Sequence, residues 1–283
     1  MTAKPIVTGV DGSEESLRAA AWAAQEAELR HTPLVIVSVL PPLPWLTPPE
    51  SVPALTTAAR EGLELALAMA AERAKEQVAA LKVETELLSG RPGQVLAERA
   101  AEASMLVVSS SGADGFAAAT PGSVSRYAAA HAPCPVVVVR GEATATHREV
   151  VVGVSDPDLP DAAAALGFGF AEAALRGTRL VAVSAWYWPV AGGRVGHAQL
   201  PGDAPRRLTE ALASYRVRYP GLEVSGDVVS AHPGRVLAGA STRADLVVLG
   251  RPEVPGQTTA GLGSVTHAVL NHAHGPVAII PIG

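Results

Sequence analysis

The sequence predicts an α/β protein built from two tandem doubly wound domains, each a five-stranded parallel sheet with helices on both faces. Three observations carry this reading. The chain repeats itself. Within each copy, short Val/Ile-rich runs alternate with longer Ala-rich segments of helical period. A short polar joint, GEATATHR at residues 141–148, separates the copies.

The repeat is legible along most of the chain. PIVTGVDGSEESLRAAAWAAQEAELRHTPLVIVSV, residues 5–39, lines up with EVVVGVSDPDLPDAAAALGFGFAEAALRGTRLVAVSA, residues 149–185. SGRPGQVLAERAAEASMLVVSSSG from Ser89 matches SAHPGRVLAGASTRADLVVLGRPE from Ser230, and PGSVSRYAAAHAPCPVVVV matches LGSVTHAVLNHAHGPVAII. The expected domains are therefore residues 1–141 and 148–283, each of ordinary size.

In the first copy the expected elements alternate. Ile6 to Val10 is a continuous apolar strand, and Glu15 to Arg30 is a helix whose leading acids, Glu14 and Glu15, suit the positive end of its dipole. Leu34 to Val39 is the second strand, Ala58 to Leu81 an Ala-rich helix, and Val83 to Leu88 the third strand. Gly93 to Glu102 follows a GRP turn as a helix, and Met105 to Ser109 is the fourth strand. Ser123 to Ala130 is the last helix and Val136 to Arg140 the last strand. The second copy repeats the strands at Val150 to Val154, Leu180 to Ala185, Glu223 to Val229, Leu246 to Gly250 and Val277 to Pro281. Uninterrupted apolar strands joined by helices indicate a parallel sheet covered on both faces, because each crossover must return the chain to the starting edge. Such sheets bind ligands beyond the carboxyl ends of their strands.

Composition narrows the function classes. The 283 residues are 48% hydrophobic but only 4% aromatic, so the core is expected to be aliphatic. The formal charge is -5 and there is no Lys/Arg run, which argues against nucleic acid or anionic lipid as partner. The first 145 residues hold 11 basic and 16 acidic side chains, so an anion site there must rely on backbone dipoles or a metal. The single cysteine, Cys134, cannot form an internal disulfide and fits a reducing compartment. The apolar stretch before Asp11 is too short for a signal sequence, and no run reaches the length of a membrane span; the expectation is a cytoplasmic protein.

The stretch SSSGADGFAAATPGSVS, residues 109–125, joins the fourth strand to the last helix. Gly112 permits close backbone approach, and the amides at the helix start, with the Ser123 and Ser125 hydroxyls, could grip a phosphate chain without a lysine. The same residues also read as an ordinary helix start, with Ser123 as N-cap and Pro121-Gly122 ending the loop. The residues by themselves leave both readings open. There is no Walker lysine and no G-x-S-x-G elbow.

Taken as a set, five features resemble the universal stress protein family in its tandem form. They are GVDGS after the first strand, the GRP or HPG turn after the third, the glycine-bearing loop after the fourth, GSVS or GSVT at the last helix, and HAPCPVVVVR at the last strand. The resemblance implies a stress-response regulatory protein that binds an adenine nucleotide, ATP with Mg²⁺, without efficient catalysis. It uses G-x-x-G, nine residues, then G-[ST], plus an acidic residue ending the first strand. Mapped onto this chain, the resemblance puts Asp11 against adenine or ribose, Val10 and Val39 beside the base, and Val108, Gly112, Gly122, Ser123, Val124 and Ser125 around ribose and phosphates. Ser109 stands where the first glycine is expected. The second domain offers a weaker site at Gly250, Gly263, Ser264, Val265 and Thr266, with Glu253 replacing the second glycine and Ser155 the acid. The resemblance further implies pairing of the last strands, Val136 to Val139 with Val277 to Ile280, as an internal pseudo-dimer, and a homo-oligomer or signalling protein as partner.

Two other functions stay open on the residues: a nucleotide-free interaction module, and a slow ATPase that orients water with Asp11 or Asp114. Asp114 could hold Mg²⁺ through water or simply face solvent in a turn. His267, His272 and His274 read as structural or surface residues rather than zinc ligands, and Cys134 as a buried thiol. The loops LPPLPWLTPP and AWYWPV, after the second strand of each copy, read equally as lids or as packing.

Overall fold

The computed structural model describes residues 3–43, 48–111, 122–141, 147–186, 202–252 and 261–282. The chain divides into two compact units, Met1–Arg140 and Gly141–Gly283. The first holds β1 (Ile6–Gly9), α1 (Glu14–Leu29), β2 (Leu34–Leu40), α2 (Val52–Gln77), β3 (Val83–Ser89), α3 (Pro92–Arg99), β4 (Met105–Ser109), α4 (Ser123–His131) and β5 (Val136–Val139). The second holds β6 (Glu149–Gly153), α5 (Pro160–Arg176), β7 (Arg179–Ala185), α6 (Ala204–Arg218), β8 (Val224–Val229), α7 (Pro233–Ala240), β9 (Leu246–Gly250), α8 (Ser264–His272) and β10 (Val277–Ile280).

Both units use one topology. The strands of the first run β3-β2-β1-β4-β5 and those of the second β8-β7-β6-β9-β10, parallel within each unit. From β1 the chain winds outward through β2 to β3, then crosses back past β1 to β4 and β5. Right-handed crossovers taken in opposite directions put their helices on opposite faces. Accordingly α1 packs on α2, while α3 packs on α4. Strands β1, β2, β4 and β5 carry the core: Ile6, Val7, Leu34, Ile36, Leu106, Val107 and Val136 to Val138 are all fully buried. The outer strand β3, VETELLS, is largely solvent-facing, which its alternating carboxylates reflect.

Some boundaries differ from the sequence expectation. Helix α2 runs from Val52 to Gln77 rather than from Ala58 to Leu81. A 3₁₀ turn at Pro49–Ser51 leads into it, and a proline in its first turn costs no hydrogen bond because that amide has no helical acceptor. It stops where buried Val78 turns extended (φ -141°, ψ 93°). Helix α3 ends at Arg99, and the residues to Glu102 tighten into a 3₁₀ turn. Strand β6 opens one residue early, at Glu149, whose buried carboxylate accepts hydrogen bonds from Arg179. Each unit also buries a carboxylate on its first helix beside an arginine one turn on, Glu26 with Arg30 (2.6 Å) and Glu172 with Arg176. A buried charge is tolerable only when paired in this way.

Small residues set how closely the helices approach the sheet. A Cβ on Gly169 of α5 would lie 2.3 Å from Val152 Cγ2, whereas one on Gly167 would come no closer than 3.7 Å to the Tyr215 hydroxyl. Gly169→Ala is expected to destabilise the second unit by about 1–3 kcal/mol through overpacking. Gly167→Ala should stabilise it by about 0.5–1 kcal/mol by removing helix-interior glycine entropy. Urea denaturation of the two variants beside the wild type reads both signs.

Candidate functional site

The reversal of winding between β1 and β4 leaves a cleft at their carboxyl ends, and most expected residues of the first unit converge there. Val10 leaves β1 with its amide still bonded to Val37 O (2.9 Å), and Ser38 Oγ donates to Val10 O (2.8 Å). Val10, Val39 and Val108 are buried, at 5%, 7% and 2% exposure, so they form walls rather than open contacts. Asp11 sits at the rim, exposed. Its Oδ1 accepts from the Ser13 amide (3.0 Å) and the Ser13 hydroxyl (2.6 Å), while its own amide donates to Ser16 Oγ (3.3 Å). Ser13 is in turn the N-cap of α1, its Oγ accepting from the Ser16 amide (3.2 Å). This local network holds the Asp11 carboxylate in one orientation at the carboxyl end of β1.

The far wall is the start of α4. Gly122, not Ser123, is the N-cap, and among the described residues no side chain caps the helix. The N-cap assignment expected for Ser123 is therefore corrected: Ser123 is the first helical residue and exposed. The Gly122 amide donates to Ser110 O (2.7 Å), and the first helical bond runs from Arg126 N to Gly122 O (3.2 Å). The amides of Ser123, Val124 and Ser125 thus open the helix without an intrahelical acceptor. Among the described residues a Cβ on Gly122 would meet nothing closer than 3.7 Å, and its φ of -61° is ordinary, so neither their packing nor the backbone there demands glycine.

Ser125 has another role than the one expected. Its buried hydroxyl donates to Gly122 O (3.0 Å) and Ser110 O (3.4 Å), tying the helix start to the end of β4. Having given its proton to protein carbonyls, it has none for a phosphate. Ser109 Oγ likewise donates to Ser111 O (2.8 Å), so its hydroxymethyl group is turned into its own loop. Gly112 and Asp114 lie outside the described residues.

The second unit solves the same corner differently. A Cβ on Gly250 would lie 2.2 Å from Asp161 O, so the start of α5 rests directly on the end of β9 and glycine is obligatory. Ser155, at the Asp11 position, donates to Asp161 Oδ2 (3.1 Å), and Asp161 is itself buried at 7% exposure. The carboxylate absent from the strand end is thereby supplied by the second residue of α5. Sequence reading missed it because only the residue directly after the strand was inspected; the acid six positions on was the available signal. Asp156 and Asp158 are clamped by Arg207, and the Asp158 hydrogen bond pushes that guanidinium's pKa up and keeps it charged. At the start of α8, Gly263 is again an N-cap without side-chain capping among the described residues, but Pro252 Cγ lies 3.2 Å from its would-be Cβ. Ser264 is exposed, Val265 half-buried and Thr266 buried. Glu253 lies outside the described residues.

The remaining expectations find ordinary places. Cys134 is buried, its Sγ 3.5 Å from Pro135 O. His267 Nδ1 pairs with Asn271 Nδ2 (3.1 Å), and among the described residues no three His, Cys, Asp or Glu side chains are grouped to hold a metal. Pro41, Pro42 and Leu43 line an apolar hollow of about 450 Å³ with Val52 and Thr56 of α2, and both prolines are exposed. Residues 44–47 of that loop and 187–190 of its counterpart lie outside the described residues. Among the described residues no helix is long and apolar enough to cross a membrane.

Comparison with known proteins agrees with this architecture. The model of the universal stress protein family matches the chain twice, over residues 2–140 and 146–281. A universal stress protein of Mycobacterium tuberculosis is 36% identical over 296 residues, covering 97% of this chain and 96% of its own. One from Mycolicibacterium smegmatis is 32% identical over 287 residues, with 97% and 96% covered. The crystal structure of a universal stress protein from Archaeoglobus fulgidus superimposes over 100% of both chains with a TM-score of 0.74 at 17% identity, a likeness of fold. With the family's domain matched in both halves and relatives similar over nearly the full length, this chain is a member of the universal stress protein family, carrying two of its domains in tandem.

Proposed function

We propose that this protein is a stress-response regulator that binds an adenine nucleotide, ATP with Mg²⁺, mainly in its first unit, and signals through the bound state rather than through turnover. The observation that carries the reading is the start of α4: three amides with no acceptor among the described residues, behind a glycine that no described residue requires. An uncapped helix start with free amides is a site for phosphate oxygens, and an unneeded glycine leaves space for close approach. The Ser123 hydroxyl is exposed beside it. Across the cleft, the oriented Asp11 carboxylate can accept from a ribose hydroxyl or an adenine amino group, with Val10 and Val39 as the apolar wall for the base. Mg²⁺ would travel with the phosphates, completed by water.

Binding without turnover is favoured by how Asp11 is used. Its Oδ1 already accepts two hydrogen bonds, which makes it a weak proton acceptor for an attacking water. Ser109 is compatible with a ligand because its hydroxyl is committed to Ser111 O. In the second unit Asp161 offers a substitute carboxylate, but α5 closes tightly on Gly250, so that corner is the weaker site.

Titration calorimetry with ATP and Mg²⁺ should show one dominant site per chain; absence of both heat and thermal shift at millimolar ATP would overturn the reading. Gly122→Ala should weaken binding at least roughly tenfold, about 1.4 kcal/mol, because its methyl group enters the phosphate space. Its melting temperature should stay close to that of the wild type, since no described residue lies within 3.7 Å of that methyl group. Phosphate release should stay at background and be indifferent to Asp11→Ala; sustained turnover lost in that variant would make the protein an ATPase instead.

A further inference from the structure

We propose that the groove between α7 and α8 of the second unit binds a small planar aromatic anion, stacked on His272 and held by the Arg235 guanidinium. The argument comes from the repeat. Helices α3 and α4 of the first unit and α7 and α8 of the second correspond residue for residue, Pro92–Arg99 with Pro233–Ala240 and Ser123–His131 with Ser264–His272. In the first unit an aromatic ring occupies part of the space between the helices. Tyr127, itself 38% exposed, lies over His131 with ring centroids 4.0 Å apart and planes inclined by 15°, whereas the helices approach equally closely in both units, a Cβ on Gly93 falling 2.9 Å from Tyr127 Cβ and one on Gly234 2.6 Å from Ala268 Cβ. Beside it Gln94 Nε2 donates to Glu98 Oε1 (3.0 Å).

The second unit keeps the floor and the histidine but lacks that ring. Tyr127 corresponds to Ala268 and Glu98 to Gly239, while Gly93 and His131 correspond to Gly234 and His272. A hollow of about 490 Å³ results, within the range of small-molecule sites, and His232, Arg235, Ala268, His272 and His274 line it. Its charge is changed together with its shape. Arg91, Gln94 and Pro133 of the first unit correspond to His232, Arg235 and His274, and the acid at 98 has gone. Arg235 is exposed and makes no ion pair with a described residue. His274 is held at the rim through its amide, which donates to Ser241 Oγ (2.8 Å). The ring that the first unit places on its histidine is thus missing opposite an imidazole with a guanidinium alongside. An aromatic ring bearing a carboxylate or phosphate supplies both complements: a face for His272 and a planar anion for the guanidinium fork.

The test is amide-resolved NMR titration of the full chain with indole-3-carboxylate, phenyl phosphate and uncharged indole. Saturable shifts at Arg235, Gly239 and His272 are expected with either anion, and the stronger of the two identifies the acid group. Ala268→Tyr, which restores the ring of the first unit, should abolish these shifts without lowering the melting temperature. Arg235→Gln should weaken the anions at least fivefold and leave indole unchanged. No saturable shift at millimolar probe, unchanged binding in Ala268→Tyr, or equal losses for anion and indole in Arg235→Gln would each overturn the proposal. Gly122→Ala should leave this titration intact, which separates its outcome from that of nucleotide binding in the first unit.

Discussion

The hydrogen-bonded place of β1 between β2 and β4 is the constraint from which the rest follows. Ile6 pairs with Leu34 on one side and with Met105 on the other, and both flanking pairings are parallel. A parallel neighbour can be reached only through a crossover, and crossovers are right-handed. Once β2 and β4 flank β1, the two helix pairs must lie on opposite faces, and the loops after β1 and β4 must part company at the carboxyl end. The cleft is therefore a result of topology, before any side chain in it is considered. The same order, β7-β6-β9, repeats it in the second unit.

With the scaffold repeated, the two clefts differ through a few close contacts. In the first unit the corner of β4 accepts a serine, whose hydroxyl turns to Ser111 O. In the second, α5 comes so near that only glycine fits at 250, and the helix brings Asp161 with it to Ser155. The two units have thus exchanged the source of a carboxylate, strand end in one and helix in the other, while the uncapped glycine-led starts of α4 and α8 remain alike. The groove between α7 and α8 shows the same freedom on the outer face, where the loss of one ring and one acid opens a space with a different charge.

Much of the fold was legible because burial leaves a periodic trace. Strands such as VVVV at 136–139 and LVVLG at 246–250 are apolar throughout because helices cover both faces, and the edge strand VETELLS alternates because one side meets solvent. Boundaries drifted where a local exception ruled. Pro53 lies before the expected helix start at Ala58 but belongs to the first turn of α2, and Glu149 lies before the expected strand start at Val150 but is buried against Arg179.

By itself the sequence determined the repeat, the α/β class, and the positions along the chain of a glycine-led helix start and an acidic strand end. Only the tertiary structure decided what those residues face. Ser125 spends its hydroxyl on Ser110 O across fifteen positions of chain, Gly250 is fixed by a carbonyl from α5, and Asp161 reaches a strand end that its own sequence position does not announce. The physical reason is that periodicity records how much of a side chain is buried, whereas chemistry depends on which atoms meet it, and those arrive from elsewhere in the chain.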